Sequence, residues 1–311
     1  MARTAHGANL NTRSRPVRFP PLTRLALLLS AVVTLDGCAR VATAPSDPPE
    51  ALPVRSDASR TPALDALAPA MEASPPAPEA GPALAPIPPD PLFTNLVAPP
   101  FPEAVVSVPN GATSPRPLLI VLHGTGDRPD WNCDAWRHIT GAQAFVLCPR
   151  GDHDPRESTP GDRRFTLRGG AHLRAYLEAA IAALSARFAG YVDVERPIVT
   201  GFSLGATEIA QLALTDPARF PRVALLEGGH GVWTASSVAA FAARGGARVL
   251  FGCGSPWCPP LARSAARRLD EGGVPARSVF APVGHTNDRP LQEAIMRELS
   301  WFFDGDPRWK P

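Results

Sequence analysis

Pro197-Ile198-Val199-Thr200-Gly201-Phe202-Ser203-Leu204-Gly205 joins a short apolar strand to a serine set between two glycines, and a helical pattern (Ala206, Ile209, Leu212, Ala213) follows at once. In this setting G-x-S-x-G is a mechanical device. The glycines let the chain turn sharply from strand to helix, so that the Ser203 hydroxyl stands exposed at the strand's end. The helix starting behind it offers backbone N–H groups to a developing negative oxygen. The bland alternative is a helix whose first turn merely contains Ser and Gly. The strand before it and the helix after it make Ser203 a candidate nucleophile.

Working outward, further apolar runs have the continuity of strands buried on both faces of a parallel sheet. They are Pro117–Leu122, Ala144–Leu147, Arg222–Leu226, Arg248–Phe251 and Arg277–Phe280. Helical periods lie between them. Leu173, Leu177, Ile181, Leu184 and Phe188 share a face near 171–189, and Leu291, Ile295, Leu299 and Phe302 do so near 288–303. Such alternation with short connections predicts an α/β fold, a doubly wound, mostly parallel sheet flanked by helices. Ligands of these sheets bind at the carboxyl ends of the strands, so the residues just past each strand carry the functional signal.

Three of those positions resemble the α/β-hydrolase superfamily, over essentially all of 103–311. They are the Gly201–Gly205 turn, His123-Gly124-Thr125-Gly126 after the first strong strand, and Val283-Gly284-His285-Thr286-Asn287 after the last. The resemblance implies that Ser203 attacks a carbonyl while His285 takes its proton and returns it to the leaving group. It also implies an oxyanion hole from the Thr125 and Leu204 N–H groups. His123 then shapes its loop rather than moving protons. The acid departs from the pattern: Ser255 stands where the superfamily usually has Asp, in Gly252-Cys253-Gly254-Ser255-Pro256-Trp257-Cys258. Some members take the acid from the end of the preceding strand, where this chain has Glu227. Glu227 keeps the order Ser, acid, His, so it is either the catalytic acid or a structural or solvated carboxylate. Asp288, three residues past His285, reads as a helix cap.

The N-terminus reads as an address. Five arginines precede the 11-residue apolar run Leu25–Leu35, too short to span a bilayer. Leu35-Asp36-Gly37-Cys38 resembles the lipobox of bacterial lipoproteins, with Asp36 departing from the usual small residue. This implies a signal peptide over 1–37, lipidation of Cys38 and, with Ala39 following, an outer-membrane destination in the cell envelope; the alternative is an ordinary cleaved signal with an incidental Cys. The formal charge of +2 belongs to this segment: without its five arginines and one aspartate the rest carries −2. Neither value suggests nucleic acid. Residues 38–102 read as a disordered Pro/Ala-rich tether, because 17 of the 62 residues from Val41 to Pro102 are proline.

Four cysteines remain: Cys133, Cys148, Cys253 and Cys258. Their C-x14-C and C-x4-C spacings suit zinc or disulfides, and export favours disulfides. The expected pairs are Cys133–Cys148 and Cys253–Cys258, the second closing the loop where the superfamily's acid usually resides. Asp152-His153-Asp154 reads as a solvated turn rather than a metal site. The charged segment 149–170 has the length of a functional lid and points to a polar or anionic substrate. Trp131, Trp136, Trp233 and Trp257 follow strands and serve either the mouth of the site or the core.

The sequence therefore predicts an exported, lipid-anchored serine hydrolase acting on a carboxylic ester without cofactor or metal. Its resemblance leans toward compact esterases such as acetyl-xylan, feruloyl and polyhydroxyalkanoate-degrading enzymes. Two other readings stand beside it: a serine peptidase, and a hydrolase-like surface-binding lipoprotein with impaired catalysis, motivated by the missing Asp.

Overall fold

The structure, a computed structural model, describes residues 84–89 and 93–309. The signal segment, Cys38 and the greater part of the tether lie outside the described residues. The chain enters the sheet through β1 (Thr94–Ala98) and β2 (Phe101–Ser107), an antiparallel pair turning at Pro99–Pro100. Next come β3 (Arg116–Leu122), α1 (Pro129–Ile139) and β4 (Phe145–Pro149). A two-residue ladder, β5 (Asp152–His153) with β6 (Phe165–Thr166), precedes α2 (Gly170–Arg187). Strand–helix alternation then runs through β7 (Val192–Phe202), α3 (Leu204–Thr215), β8 (Arg222–Leu226), α4 (Ala235–Ala243), β9 (Arg248–Cys253), α5 (Cys258–Glu271) and β10 (Ala276–Phe280). Two short helices, α6 (Arg289–Met296) and α7 (Leu299–Phe303), close the chain.

Eight strands form one sheet in the order β1-β2-β4-β3-β7-β8-β9-β10. From β4 to β10 every pairing is parallel, while β2 pairs antiparallel with both β1 and β4. The doubly wound sheet expected from the alternation is present. Its apolar runs are explained by two-sided burial. Leu118, Ile120 and Leu122 of β3 face a core completed by α2, α3, α4 and α5. Leu119 and Val121, one residue out of phase, face a second core with Trp136, Ile295 and Phe302. From Leu118 to Leu122 both faces are covered, so no position along that stretch of β3 needs a polar residue.

Two expectations need correction. The folded part begins before residue 103. Ile87 is buried, its N–H bonds the Ala112 carbonyl, and its carbonyl receives the Gly111 N–H. β1 then adds an edge strand, with Leu96 and Ala98 in the core. Proline density hid this segment, because Pro99 and Pro100 form the turn and Pro102 opens β2 ahead of its pairing with β4, which begins at Ala104. The helix expected over 288–303 is interrupted instead at Arg297–Glu298, where the Glu298 N–H turns back to the Ile295 carbonyl. Glu298 pairs there with Arg277 (2.6 Å), and Phe302 enters the core beyond the break.

Candidate active site

The carboxyl ends of β3, β7, β8, β9 and the segment after β10 converge at one edge of the sheet, and the candidate residues stand there. Ser203 occupies the single residue between β7 and α3, with φ 54° and ψ −114°. That is a glycine-type conformation imposed on a serine, and such strain costs about 1–3 kcal/mol. The flanking glycines are steric requirements. A Cβ on Gly201 would run into the backbone of Gly205 and Ala206, and one on Gly205 into the carbonyls of Leu122 and His123. Strand and helix therefore close on each other only without side chains, and the turn lifts Ser203 out of both. Its N–H is anchored to the Leu226 carbonyl of the neighbouring strand at 2.9 Å.

Glu227 stands at the same level on the next strand, also at positive φ (56°), with its N–H on the Gly252 carbonyl. Its side chain is buried, and one oxygen, Oε1, accepts the N–H groups of Gly254 and Ser255. The other, Oε2, lies 2.9 Å from His285 Nδ1, and His285 Nε2 lies 3.0 Å from Ser203 Oγ. The carboxylate can only accept, so Nδ1 carries the hydrogen and Nε2 is bare toward the serine hydroxyl. Burial alone would push the Glu227 carboxyl up. Hydrogen bonds from the Ser255 side chain, the two amides and His285 outweigh burial and hold it below its ordinary value. Glu227 is thus an ionised acceptor in a built cradle, which removes the reading of a merely solvated carboxylate.

The segment after β3 passes directly against the serine. A Cβ on Gly124 would lie 3.3 Å from Ser203 Cβ. Thr125 follows it at the surface, and Leu204 is the first residue of α3, where backbone N–H groups have no intrahelical acceptor. His123 is buried, with one ring nitrogen on the Gly124 carbonyl (2.7 Å) and the other on the Arg150 carbonyl (2.8 Å). It ties the loop to the end of β4. Asp288 takes the N-cap position of α6 without a side-chain capping bond.

Among the neighbours, Asn132 and Asp127 had no signal in the sequence. Asn287 Nδ2 donates to Asn132 Oδ1 (3.0 Å), and Asn132 Nδ2 to Asp127 Oδ2 (2.8 Å), linking the His285 segment to the loop after β3. Phe202 packs beside His285 (ring centroids 5.0 Å), and half-exposed Trp257 flanks it at 6.0 Å. Trp136 and Trp233 are core residues, while Trp131 lies under Arg164 at 4.4 Å. The segment 149–170 is pinned rather than loose: Asp127 and Phe165 exchange backbone bonds, and Arg164 donates to the Gly126 carbonyl. Asp154, expected to be solvated, is buried and accepts the Arg156 N–H. Asp152 pairs with Arg168 at 2.6 Å.

Both cysteine pairs are disulfides, Cys133–Cys148 and Cys253–Cys258. His230 joins the second, with Nε2 at 3.4 Å from Cys258 Sγ. The three side chains are close enough to surround an ion, but bonded sulfurs are not thiolates, so the group has no metal-binding donor set in this state. Burial pushes the His230 imidazole down, against the opposing Glu227 charge. A cavity of about 640 Å³ lies elsewhere, between the C-terminal end of α1 and residues 296–309, and includes none of Ser203, Glu227 and His285.

No protein-family model and no curated protein matches the chain. Solved structures do. An S-formylglutathione hydrolase of Staphylococcus aureus superposes on 68% of this chain and 96% of its own, with a TM-score of 0.51 and 15% identity. A Klebsiella pneumoniae protein assigned as a dienelactone hydrolase covers 68% and 98%, with a TM-score of 0.51 and 20% identity. At these identities the likeness is one of fold.

Proposed function

With the α/β-hydrolase fold as the premise, we propose that the domain is a serine hydrolase that cleaves a carboxylic ester through an acyl-enzyme on Ser203. The observation that carries this reading is the unbroken chain from Ser203 Oγ to His285 to Glu227, at 3.0 and 2.9 Å, on a strained turn at a helix N-terminus.

The steps follow from the atoms. The bare Nε2 of His285 accepts the Ser203 proton as Oγ bonds to the ester carbonyl carbon. The carbonyl oxygen gains charge beside the Leu204 and Thr125 N–H groups, whose dipoles need no reorganisation to stabilise it. Glu227 stabilises the imidazolium through Nδ1–H without taking its proton. The imidazolium then protonates the departing alkoxide, and a water repeats the sequence on the acyl-enzyme. No metal or redox cofactor enters these steps. Trp257 and Phe202 offer apolar ring faces next to the base, suiting an ester that carries a flat apolar part.

The same proposal extends to location. A lipidated Cys38 and the Pro-rich tether would hold the domain at the cell envelope, and two disulfides suit that oxidising setting. Reaction with a fluorophosphonate probe tests the chemistry. The wild-type protein is expected to gain one phosphonyl adduct, located on Ser203 by peptide mass. A folded protein that gains none returns the chain to the reading of a hydrolase-like binding lipoprotein. A panel of esters and peptide amides separates the esterase from the peptidase.

A further inference from the structure

The loop between β9 and α5 does more than connect them. It runs from Cys253, the last residue of the strand, to Cys258, the first of the helix, and a disulfide closes it. Inside it, Gly254 and Ser255 give both N–H groups to Glu227 Oε1. Outward, the Cys253 carbonyl receives the Ala281 N–H (3.0 Å) and the Gly254 carbonyl receives the Gly284 N–H (3.1 Å), one residue before His285. One short loop therefore grips acid and base segments together. The fit is tight: a Cβ on Gly254 would run into the Gly284 carbonyl oxygen and lie 2.8 Å from Val283 Cγ2.

We infer that the Cys253–Cys258 disulfide is a positioning device for the Glu227–His285 pair, setting the rate of the reaction beyond its share in stability. The inference rests on the serine hydrolase reading. A four-residue loop freed at its closure can swing its amides away from Oε1 and draw Gly284 with it. Both movements change the acid–base distance without touching Ser203. Cys253 and Cys258 are fully buried, so solvent thiols do not reach the bond in the folded protein. It acts as a permanent clamp rather than a redox switch. Besides His285, among the described residues His230 faces Glu227; it sits on the same disulfide, and burial pushes its imidazole down toward the neutral form.

The second disulfide is an internal control. Cys133–Cys148 joins α1 to β4, and the Cys133 sulfur faces the carbonyls of Val105 and Val146 rather than the site. It spans 15 positions against 5, so chain-entropy reasoning gives it the larger role in stability. The two pairs should therefore rank in opposite order for stability and for activity. Full-length Cys253→Ala/Cys258→Ala is expected to lose roughly tenfold or more in kcat on an aryl ester with KM little changed, the rate equivalent of a base turned off its line to Ser203. The acidic limb of its kcat/KM profile should move to higher pH, because a carboxylate with fewer donors protonates more readily and holds the imidazolium more strongly. Cys133→Ala/Cys148→Ala should show the larger fall in Tm with kcat and pH profile unchanged.

Ser255→Ala, which keeps the bond, should move the same limb in the same direction by less, and serves if the first pair does not fold. Wild-type kcat and pH profile in the Cys253/Cys258 variant, or in Ser255→Ala if that variant does not fold, overturn the inference. So does a rate loss in both pairs that follows Tm. A wild type that neither reacts with fluorophosphonate nor turns over esters removes the hydrolase reading and the inference with it; active wild type beside unaffected loop variants removes the inference alone.

Discussion

Ser203→Ala is expected to lower ester turnover by roughly 10⁵-fold or more, with the fold and the residual binding of substrate intact. The methyl group fits where the hydroxyl stood, because Oγ has its hydrogen bond to His285 and the Ser203 backbone is held separately through its N–H on Leu226. His285→Ala should cost about as much, since without Nε2 the serine proton has no acceptor within reach. The two losses should not add. A protein carrying both substitutions is expected to be no slower than either alone, because each already disables the same step. Steady-state rates on one activated ester, measured for both single variants and the double, check this. A double variant slower by the product of the two factors would mean that Ser203 and His285 act separately.

Glu227→Gln is expected to be the next most severe change, at roughly 10³- to 10⁴-fold in kcat. The reason lies in the cradle. The Gly254 and Ser255 N–H groups both point at Oε1, so a glutamine must place its carbonyl oxygen there and turn its NH₂ toward His285. A donor facing Nδ1 forces that nitrogen to accept, which moves the ring hydrogen to Nε2 and aims it at Ser203 Oγ. The base is then present in the wrong tautomer. The substitution also has a stability signature. The Glu227 carboxyl is held below its ordinary 4.5 by the donors around it, so it contributes stability that is fully present above that value and lost as pH falls through the lowered one. The Tm advantage of wild type over Glu227→Gln should be flat at neutral pH and narrow under acid. An advantage that widens on acidification would contradict the ionised assignment.

The parts of this molecule legible in its sequence are those in which side chains repeat or in which one residue type has one use. Continuous apolar runs announced buried parallel strands because both faces of β3 are covered. Gly201 and Gly205 were readable because only glycine allows strand and helix to approach so closely. Glu227 was readable because a carboxylate directly after an apolar strand needs a partner, although its partners other than His285 were not. These are chiefly backbone amides of Gly254 and Ser255, and an amide has no letter of its own. Ser255, conspicuous as the residue where an aspartate was expected, proves to sit against the carboxylate that reaches across from the neighbouring strand. The Asn132–Asn287 contact joins positions 155 apart and has no periodicity to betray it. β1 was hidden by composition: proline density describes a tether and an edge strand equally well when the prolines fall at turns.

The backbone angle at Ser203 has a consequence for how the protein ages under mutation. A serine at φ 54°, ψ −114° holds conformational energy that the inert protein has no use for. Ser203→Gly should release it and melt higher than Ser203→Ala, which keeps the same strained Cβ. Differential scanning calorimetry of the two inactive proteins would show the gap, and equal melting points would mean the turn is relaxed. Heat resistance and turnover then pull against each other at this position. Any screen that rewards only soluble, heat-tolerant protein will drift toward a glycine at 203 and collect well-folded chains that have stopped working.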